Sequence, residues 1–104
     1  MTFNLQKKWY KKFLSGEKTI EYREVKPYWT KRLDSLWDNN GVPLALGDSV
    51  CFFPRRPCIL RLGYTKRHMT ADITRIEVVN GKDTDLAIDA PVYAIHLANV
   101  REER

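Results

Sequence analysis

Eight consecutive residues, GEKTIEYR at positions 16–23, hold the densest cluster of chemically useful side chains in the chain. Residues 19–23 favour a β-strand, in which successive side chains point to opposite faces. Glu21 and Arg23 are therefore predicted on one face, within reach of each other, and Lys18 stands where the strand begins. A Glu-x-Arg pair is also common as a structural ion pair of little value when exposed, so a functional and a structural interpretation both stay open.

If this cluster is catalytic, Lys18 and Glu21 are the candidate residues. A desolvated lysine can act as a base or nucleophile, and a carboxylate can transfer protons. Opposite charges in contact keep each other ionised, however, and a permanently charged ammonium is a poor base. Contact between Lys18 and Glu21 would therefore favour recognition over catalysis, and the sequence leaves open whether the protein is an enzyme.

The same eight residues resemble the G-x-K-x-x-E-x-R signature of the ASCH domain, a branch of the PUA-like fold, and as in that family they follow an amphipathic helix. The resemblance implies one small PUA-like antiparallel β-barrel with two flanking helices, covering residues 1–104. It also implies a cleft lined by the motif and association with RNA or its nucleosides.

The resemblance also implies a possible reaction. Some short ASCH-like proteins act as amidohydrolases on N4-acetylcytidine, using a lysine, a threonine and a distant glutamate, and others are implicated in RNA cleavage. Lys18 matches the lysine, but Glu21 stands at the position of the threonine. Thr19 is the nearest threonine, and no position clearly matches the glutamate.

A chain of 104 residues is expected to form a single domain. It contains no run of 18 apolar residues and no apolar signal-peptide core at its start, which predicts a soluble cytoplasmic protein without membrane association. Cys51 and Cys58 do not form a CxxC pattern, and His68 and His96 do not complete a metal-binding one. We expect no metal or cofactor, and two buried cysteines, with a disulfide as the alternative.

The net charge of +5 is unevenly distributed along the chain. Residues 1–32 hold nine Lys or Arg and three acids, residues 54–67 hold five bases and no acid, and the remainder holds four bases and ten acids. Such asymmetry is typical of a basic face for a polyanion, although ordinary basic surfaces share it. It favours RNA or a nucleotide as the partner of a chain that we expect to be monomeric.

Several residues outside the motif are predicted to contact such a partner. Arg55 and Arg56 lie between two prolines in what we expect to be a rigid, exposed loop, where guanidinium groups can grip phosphates. Tyr64 precedes two cations, a combination suited to base stacking beside phosphate contacts. The complete predicted binding set is Lys18, Glu21, Arg23, Tyr28, Arg55, Arg56, Tyr64, Lys66 and Arg67.

The elements that must position these residues follow from periodicity and turn signals. Apolar residues at helical spacing predict helices over residues 6–15 and 27–41, the first ended by Gly16 and the second begun by Pro27 and closed by Asn39-Asn40-Gly41. Strands are expected at residues 2–5, 19–23, 49–53, 58–64, 73–79 and from 91 onward, and residues 101–104 are expected to be too charged to pack. Because strands and helices do not alternate as βαβ units, we predict a mixed α+β domain with a largely antiparallel, barrel-like sheet.

Overall fold

A computed structural model describes residues 1–36 and 44–103 of the chain. They form a small α+β protein with a five-stranded, curled half-barrel sheet and two helices. The elements in chain order are β1 (Thr2–Leu5), α1 (Lys7–Leu14), β2 (Ile20–Glu24), α2 (Pro27–Asp34), β3 (Ser49–Leu62), β4 (His68–Asn80), a 3-10 turn (Gly81–Asp83) and β5 (Pro91–Glu103). Within the described residues, neither helix has the length and apolar character needed to cross a membrane.

The strand order in the sheet is β1-β3-β4-β5-β2, so the two strands nearest the N-terminus form its opposite edges. The pairings are antiparallel except that of β1 with β3, which is parallel and was not predicted. The sheet curls until its edges face each other, and the Arg23 guanidinium on β2 donates a hydrogen bond to the Asn4 carbonyl on β1 at 3.1 Å. The predicted α+β class is confirmed at this level.

The hydrophobic core fills the concave side of the sheet. Phe3, Leu60, Ile73 and Ile95 are fully buried there. Both helices contribute to the same cluster, α1 through Tyr10 and Phe13 and α2 through Leu33. Because these side chains are buried in one cluster, both helices pack against the core of the sheet.

Helix α1 forms as its pattern predicts. Tyr10 and Phe13 are buried, whereas its four lysines are exposed. Gln6 precedes the first turn, and Gly16 follows the last one with φ at +82°, a left-handed conformation that glycine adopts without steric cost. The helix therefore stops there, which leaves three residues to reach β2 with its charged side chains.

The prediction of a loop at residues 54–57 is wrong. Residues 54–57 lie within β3, a continuous strand of 14 residues, although its pairing with β4 is irregular between Cys51 and Arg56. Strand β1 pairs only with Ile59 to Leu62, so this part of β3 is an edge among the described residues. A proline is tolerated at an edge because its missing N–H would not have paired there.

Helix α2 begins at Pro27 as predicted but ends at Asp34. Ser35 donates its hydroxyl to the Arg32 carbonyl at 2.6 Å, and the backbone N–H of Leu36 donates to the Leu33 carbonyl at 2.9 Å, which tightens the chain into a turn. The predicted closing residues, Asn39-Asn40-Gly41, and the helical position of Trp37 lie outside the described residues.

The charged C-terminal segment packs, contrary to expectation. Residues 101–103 continue β5 and pair with the start of β4. Glu102 accepts hydrogen bonds from the buried Tyr10 hydroxyl at 2.7 Å and from Arg67 at 2.6 Å. Burial, reinforced by the Glu102 carboxylate, raises the pKa of Tyr10 to about 12. The charge of this segment is therefore used to satisfy a buried hydroxyl group.

Candidate functional site

The charged motif lies on β2, at the place where the two sheet edges face each other. A cleft of about 360 Å³ opens there between β1, the start of each helix, β2 and the loop after β4. Its lining residues are Asn4, Leu5, Gln6, Trp9, Glu21, Tyr22, Arg23, Glu24, Lys26, Trp29, Asp85 and Leu86. The cleft thus combines indole and phenol rings with carboxylates and cations.

Glu21 lies at the inner wall of the cleft and is only 6% exposed. One carboxylate oxygen accepts a hydrogen bond from the backbone N–H of Tyr22 at 2.9 Å, and the other accepts one from Arg23 at 3.1 Å. Burial raises the pKa of Glu21 above its ordinary value, and the positive charges of Arg23 and Lys18 limit this rise. The carboxyl group is therefore fixed in position and holds a proton more readily than an exposed glutamate.

Arg23 connects several parts of the cleft. Besides its bonds to Glu21 and Asn4, its guanidinium lies over the Trp29 ring, 4.8 Å from the centroid, and 5.5 Å from the Phe3 centroid. The Nε atom is buried and has no hydrogen-bond partner among the described residues. Since Glu21 and Arg23 are hydrogen-bonded on one side of β2, their geometry matches the alternation expected of a strand.

Lys18 is 9% exposed, and its ammonium forms an ion pair with Asp85. The ring centroids of Tyr22, Trp9 and Phe13 lie 4.9, 5.3 and 5.3 Å from Nζ, so the cation is enclosed by aromatic faces. Asp85, which is 67 residues away in the chain, was not predicted as part of the site. The acidic composition of residues 81–90 was visible, but no spacing singled out this carboxylate.

A smaller cleft of about 290 Å³ adjoins the first and shares Trp9, Tyr22 and Asp85 with it. Lys18 and Thr19 both line this second space. Thr19 is therefore on the same side as Lys18, whereas Glu21 lines only the larger of the two clefts. The two candidate catalytic residues, Lys18 and Glu21, consequently face adjoining spaces.

The cleft that we expected to be cationic is balanced in charge. Its two basic side chains are each paired with a carboxylate, in the ion pairs Arg23–Glu21 and Lys26–Glu24, and Lys18 in the adjoining cleft is paired with Asp85. Positive charge is found instead at the rim, where the ammonium groups of Lys8 and Lys12 lie 4.4 and 5.3 Å from the Trp9 ring centroid. The site therefore offers directional polar contacts inside and a basic edge outside.

The other predicted binding residues are not all brought to this place. Tyr28 stands beside the cleft on α2, 57% exposed, with the Arg32 guanidinium 3.4 Å from its ring centroid. None of the described residues that line the cleft belongs to the remaining five of the predicted set, Arg55, Arg56, Tyr64, Lys66 and Arg67. These five are exposed on β3 and on the turn that follows it.

The cysteines are free thiols in different environments. Cys58 is buried, as predicted, whereas Cys51 is exposed, and no disulfide joins them. Burial raises the pKa of the Cys58 thiol to about 12. In the part of the chain that the structure describes, His, Cys, Asp and Glu side chains nowhere assemble into a group of three able to hold a metal ion.

Comparisons with models of known protein families, with curated proteins and with solved structures gave no match to this chain. The likeness to the ASCH domain therefore rests on the motif at positions 16–23 alone.

Proposed function

We propose that this chain is an ASCH-like, PUA-like module whose cleft binds one base of an RNA molecule or a nucleotide. The observation that carries the proposal is the buried Glu21 carboxylate, held by the Tyr22 N–H and by Arg23 at the wall of an aromatic-lined cleft. An ionised carboxylate is a pure hydrogen-bond acceptor, and as such it matches the amino and imino groups of bases or a ribose hydroxyl.

The dimensions of the cleft support this proposal. A volume of about 360 Å³ is within the usual range of small-molecule sites, roughly 300–1,000 Å³. Trp9 and Tyr22 supply aromatic rings on which a base can stack, and stacking does not depend on the identity of the base. Identity would then be read by the Glu21 carboxylate and the Arg23 guanidinium.

The distribution of charge suggests that the inside and the rim of the cleft bind different parts of the ligand. Because the cations inside the cleft are paired with carboxylates, they orient a polar ligand more than they attract a polyanion. Lys8 and Lys12 at the rim are placed to meet a phosphate of the bound nucleotide. The proposal includes the cytoplasmic, monomeric state expected from the sequence.

A small hydrolase acting on a modified nucleoside such as N4-acetylcytidine, or on RNA, is the second candidate. Two observations favour it: Lys18, Thr19 and Asp85 line one small cleft, and burial raises the pKa of Glu21, which suits a general acid. We rank it below binding because the Lys18 ammonium is engaged in an ion pair with Asp85 and is not free to act as a base or nucleophile.

One assay separates the two functions. Wild type, Lys18→Ala, Glu21→Gln and the exposed control Lys82→Ala are incubated with N4-acetylcytidine and with a short RNA, and turnover and binding are measured in parallel. Turnover that disappears only in Lys18→Ala supports the hydrolase. RNA or nucleotide binding without turnover, weakened by Glu21→Gln and unchanged in Lys82→Ala, supports the binding module, and the absence of both contradicts both functions.

A further inference from the structure

We infer that a second surface, on the outer face of β3 and on the turn after it, binds the backbone of a single-stranded RNA whose base occupies the cleft. This outer basic surface consists of Arg61, Tyr64, Lys66 and His68 with the intervening Thr65 and the neighbouring Ile59, which together line a depression of about 380 Å³. The inference rests on the proposed function, and it specifies a polynucleotide instead of a free nucleoside as the ligand.

The strand geometry explains why these side chains share a face. Cys58 and Leu60 are buried on the concave side of β3, so Ile59 and Arg61 point outward. At Gly63 the chain turns with φ at +56°, which presents Tyr64 and Lys66 beside the end of the strand. The basic residues of this segment are thus collected on one surface.

Unpaired positive charge distinguishes this surface from the cleft. Neither Arg61 nor Lys66 has a carboxylate within 4.0 Å in the described part of the chain, whereas the cations of the cleft are paired there. Among the described residues, none of the side chains that line the depression is acidic. The charge available to a phosphate backbone is therefore on the outer basic surface, and phosphate contacts supply most of the sequence-independent affinity for nucleic acid.

Arg67 does not contribute an unpaired cation to the outer basic surface, because its guanidinium is bound to Glu102. Its guanidinium is bound to Glu102 through contacts of 2.6 and 3.3 Å, and it packs 5.5 Å from the Tyr10 ring centroid. Of the two cations that follow Tyr64, only Lys66 thus remains for a phosphate.

Tyr64 adds a stacking group to the surface. Its side chain is 93% exposed, so it contributes little to the core, and it lines the depression with Arg61 and Lys66. An exposed aromatic ring beside unpaired cations is the usual composition of a single-strand binding surface, in which bases stack on rings and cations follow the phosphates.

The outer basic surface and the cleft are separated by a single strand. Asn4 of β1 lines the cleft, and its register partner on β3 is Arg61. Leu5 also lines the cleft, and its carbonyl accepts a hydrogen bond from the Gly63 N–H at 2.9 Å. Since neighbouring strands lie about 4.8 Å apart, an RNA of a few nucleotides that crosses β1 reaches both places.

Fluorescence anisotropy with a labelled single-stranded RNA of about 12 nucleotides, within the site size of small single-strand binding folds, tests the inference. The double variant Arg61→Ala/Lys66→Ala is expected to weaken binding and to reduce the log–log salt slope by roughly 1.4, at about 0.7 per lost phosphate contact on a single strand. Tyr64→Ala is expected to weaken binding roughly 5- to 150-fold. Lys82→Ala, which removes an exposed cation elsewhere, is expected to change neither quantity.

The four ribonucleoside 5′-monophosphates, titrated against the same variants, separate this inference from the proposed function. We expect Glu21→Gln to weaken the binding of a monophosphate and of the RNA, and the double variant to weaken only that of the RNA. RNA binding equal in the double variant and in Lys82→Ala would overturn the outer basic surface while leaving the cleft in place. If the double variant loses RNA binding and Glu21→Gln affects no ligand, the proposed function of the cleft would be overturned. The inference that one RNA molecule occupies both sites would then be overturned too.

Discussion

Arg23 joins the two edges of the sheet, because its guanidinium donates to the backbone carbonyl of Asn4 at 3.1 Å across the cleft. Glu21 makes the complementary contact on the same strand, accepting the Tyr22 N–H at 2.9 Å. The ion pair of the motif thus satisfies backbone groups at both edges of the sheet, which have no ladder partner at the gap among residues 1–36 and 44–103. The structural and the functional interpretation of this pair are compatible, since the same contacts that join the edges fix the polar groups of the cleft.

Arg23→Ala is expected to lower the free energy of unfolding by about 1.5–3 kcal/mol, the usual value of a hydrogen bond involving a charged group. The side chain is 22% exposed, and its removal leaves the Glu21 carboxylate buried without its partner. Urea denaturation followed by circular dichroism measures the change.

Arg32→Ala is the matched control for that experiment, because Arg32 also lies over an aromatic ring but is exposed and does not cross the sheet edges. An equal loss of stability in the two variants would show that the Asn4 contact has no special value.

The stability of the wild type is expected to depend on pH through Glu21. Burial raises the pKa of Glu21, so between the ordinary glutamate value and the raised one the folded protein binds more protons than the unfolded chain. The free energy of unfolding therefore falls as pH rises through this window. Glu21→Gln removes the titration, so its stability relative to wild type is expected to improve as pH increases from about 4 upward.

Denaturant midpoints measured across that pH range for wild type, Glu21→Gln and Glu24→Gln check this expectation. Glu24 is a more exposed carboxylate on the same strand, with 42% of its side-chain surface accessible. A stability difference between wild type and Glu21→Gln that is constant with pH would contradict the expectation.

The two thiols are expected to differ strongly in reactivity. Thiolates are the reactive species, and burial raises the pKa of Cys58 to about 12, whereas Cys51 is exposed. A chromogenic disulfide reagent should modify one thiol rapidly in the folded protein and the second only on unfolding. Cys51→Ser should abolish the rapid phase, and a rapid phase that persists in this variant would refute the assignment.

Gly81→Ala is expected to be destabilising and to disturb the site from a distance. A Cβ atom at this position would lie 2.7 Å from Val92 Cγ1 and 2.9 Å from the Ile88 carbonyl oxygen. Overpacking of this kind costs about 1–3 kcal/mol, and relief by movement of the loop would displace Asp85 from Lys18.

Thermal unfolding and the binding assay check both consequences of Gly81→Ala, with the neighbouring exposed Lys82→Ala as control. Unchanged stability and ligand affinity in Gly81→Ala would show that the loop accommodates the extra methyl group without moving.

Local patterns predicted much of the secondary structure. The helix over residues 6–15 and its end at Gly16 follow from 3.6-residue periodicity and from the left-handed turn that glycine allows. The start of α2 at Pro27 follows from the fixed φ of proline. The path of β3 through its prolines was mispredicted, because a proline is excluded from a strand only where both sides are paired, and pairing is not a local property.

The sequence by itself determined the α+β class, both helix starts and the one-sided placement of Glu21 and Arg23, since these depend on residues only a few positions apart. Tertiary structure alone decided that Asp85 meets Lys18, that Asn4 meets Arg23, and that the basic residues of β3 lie on a surface separate from the cleft. The two contacts join residues that are far apart in the chain, and the surface depends on which way β3 faces in the sheet. This arrangement results from burying one common core, which no short stretch of residues encodes.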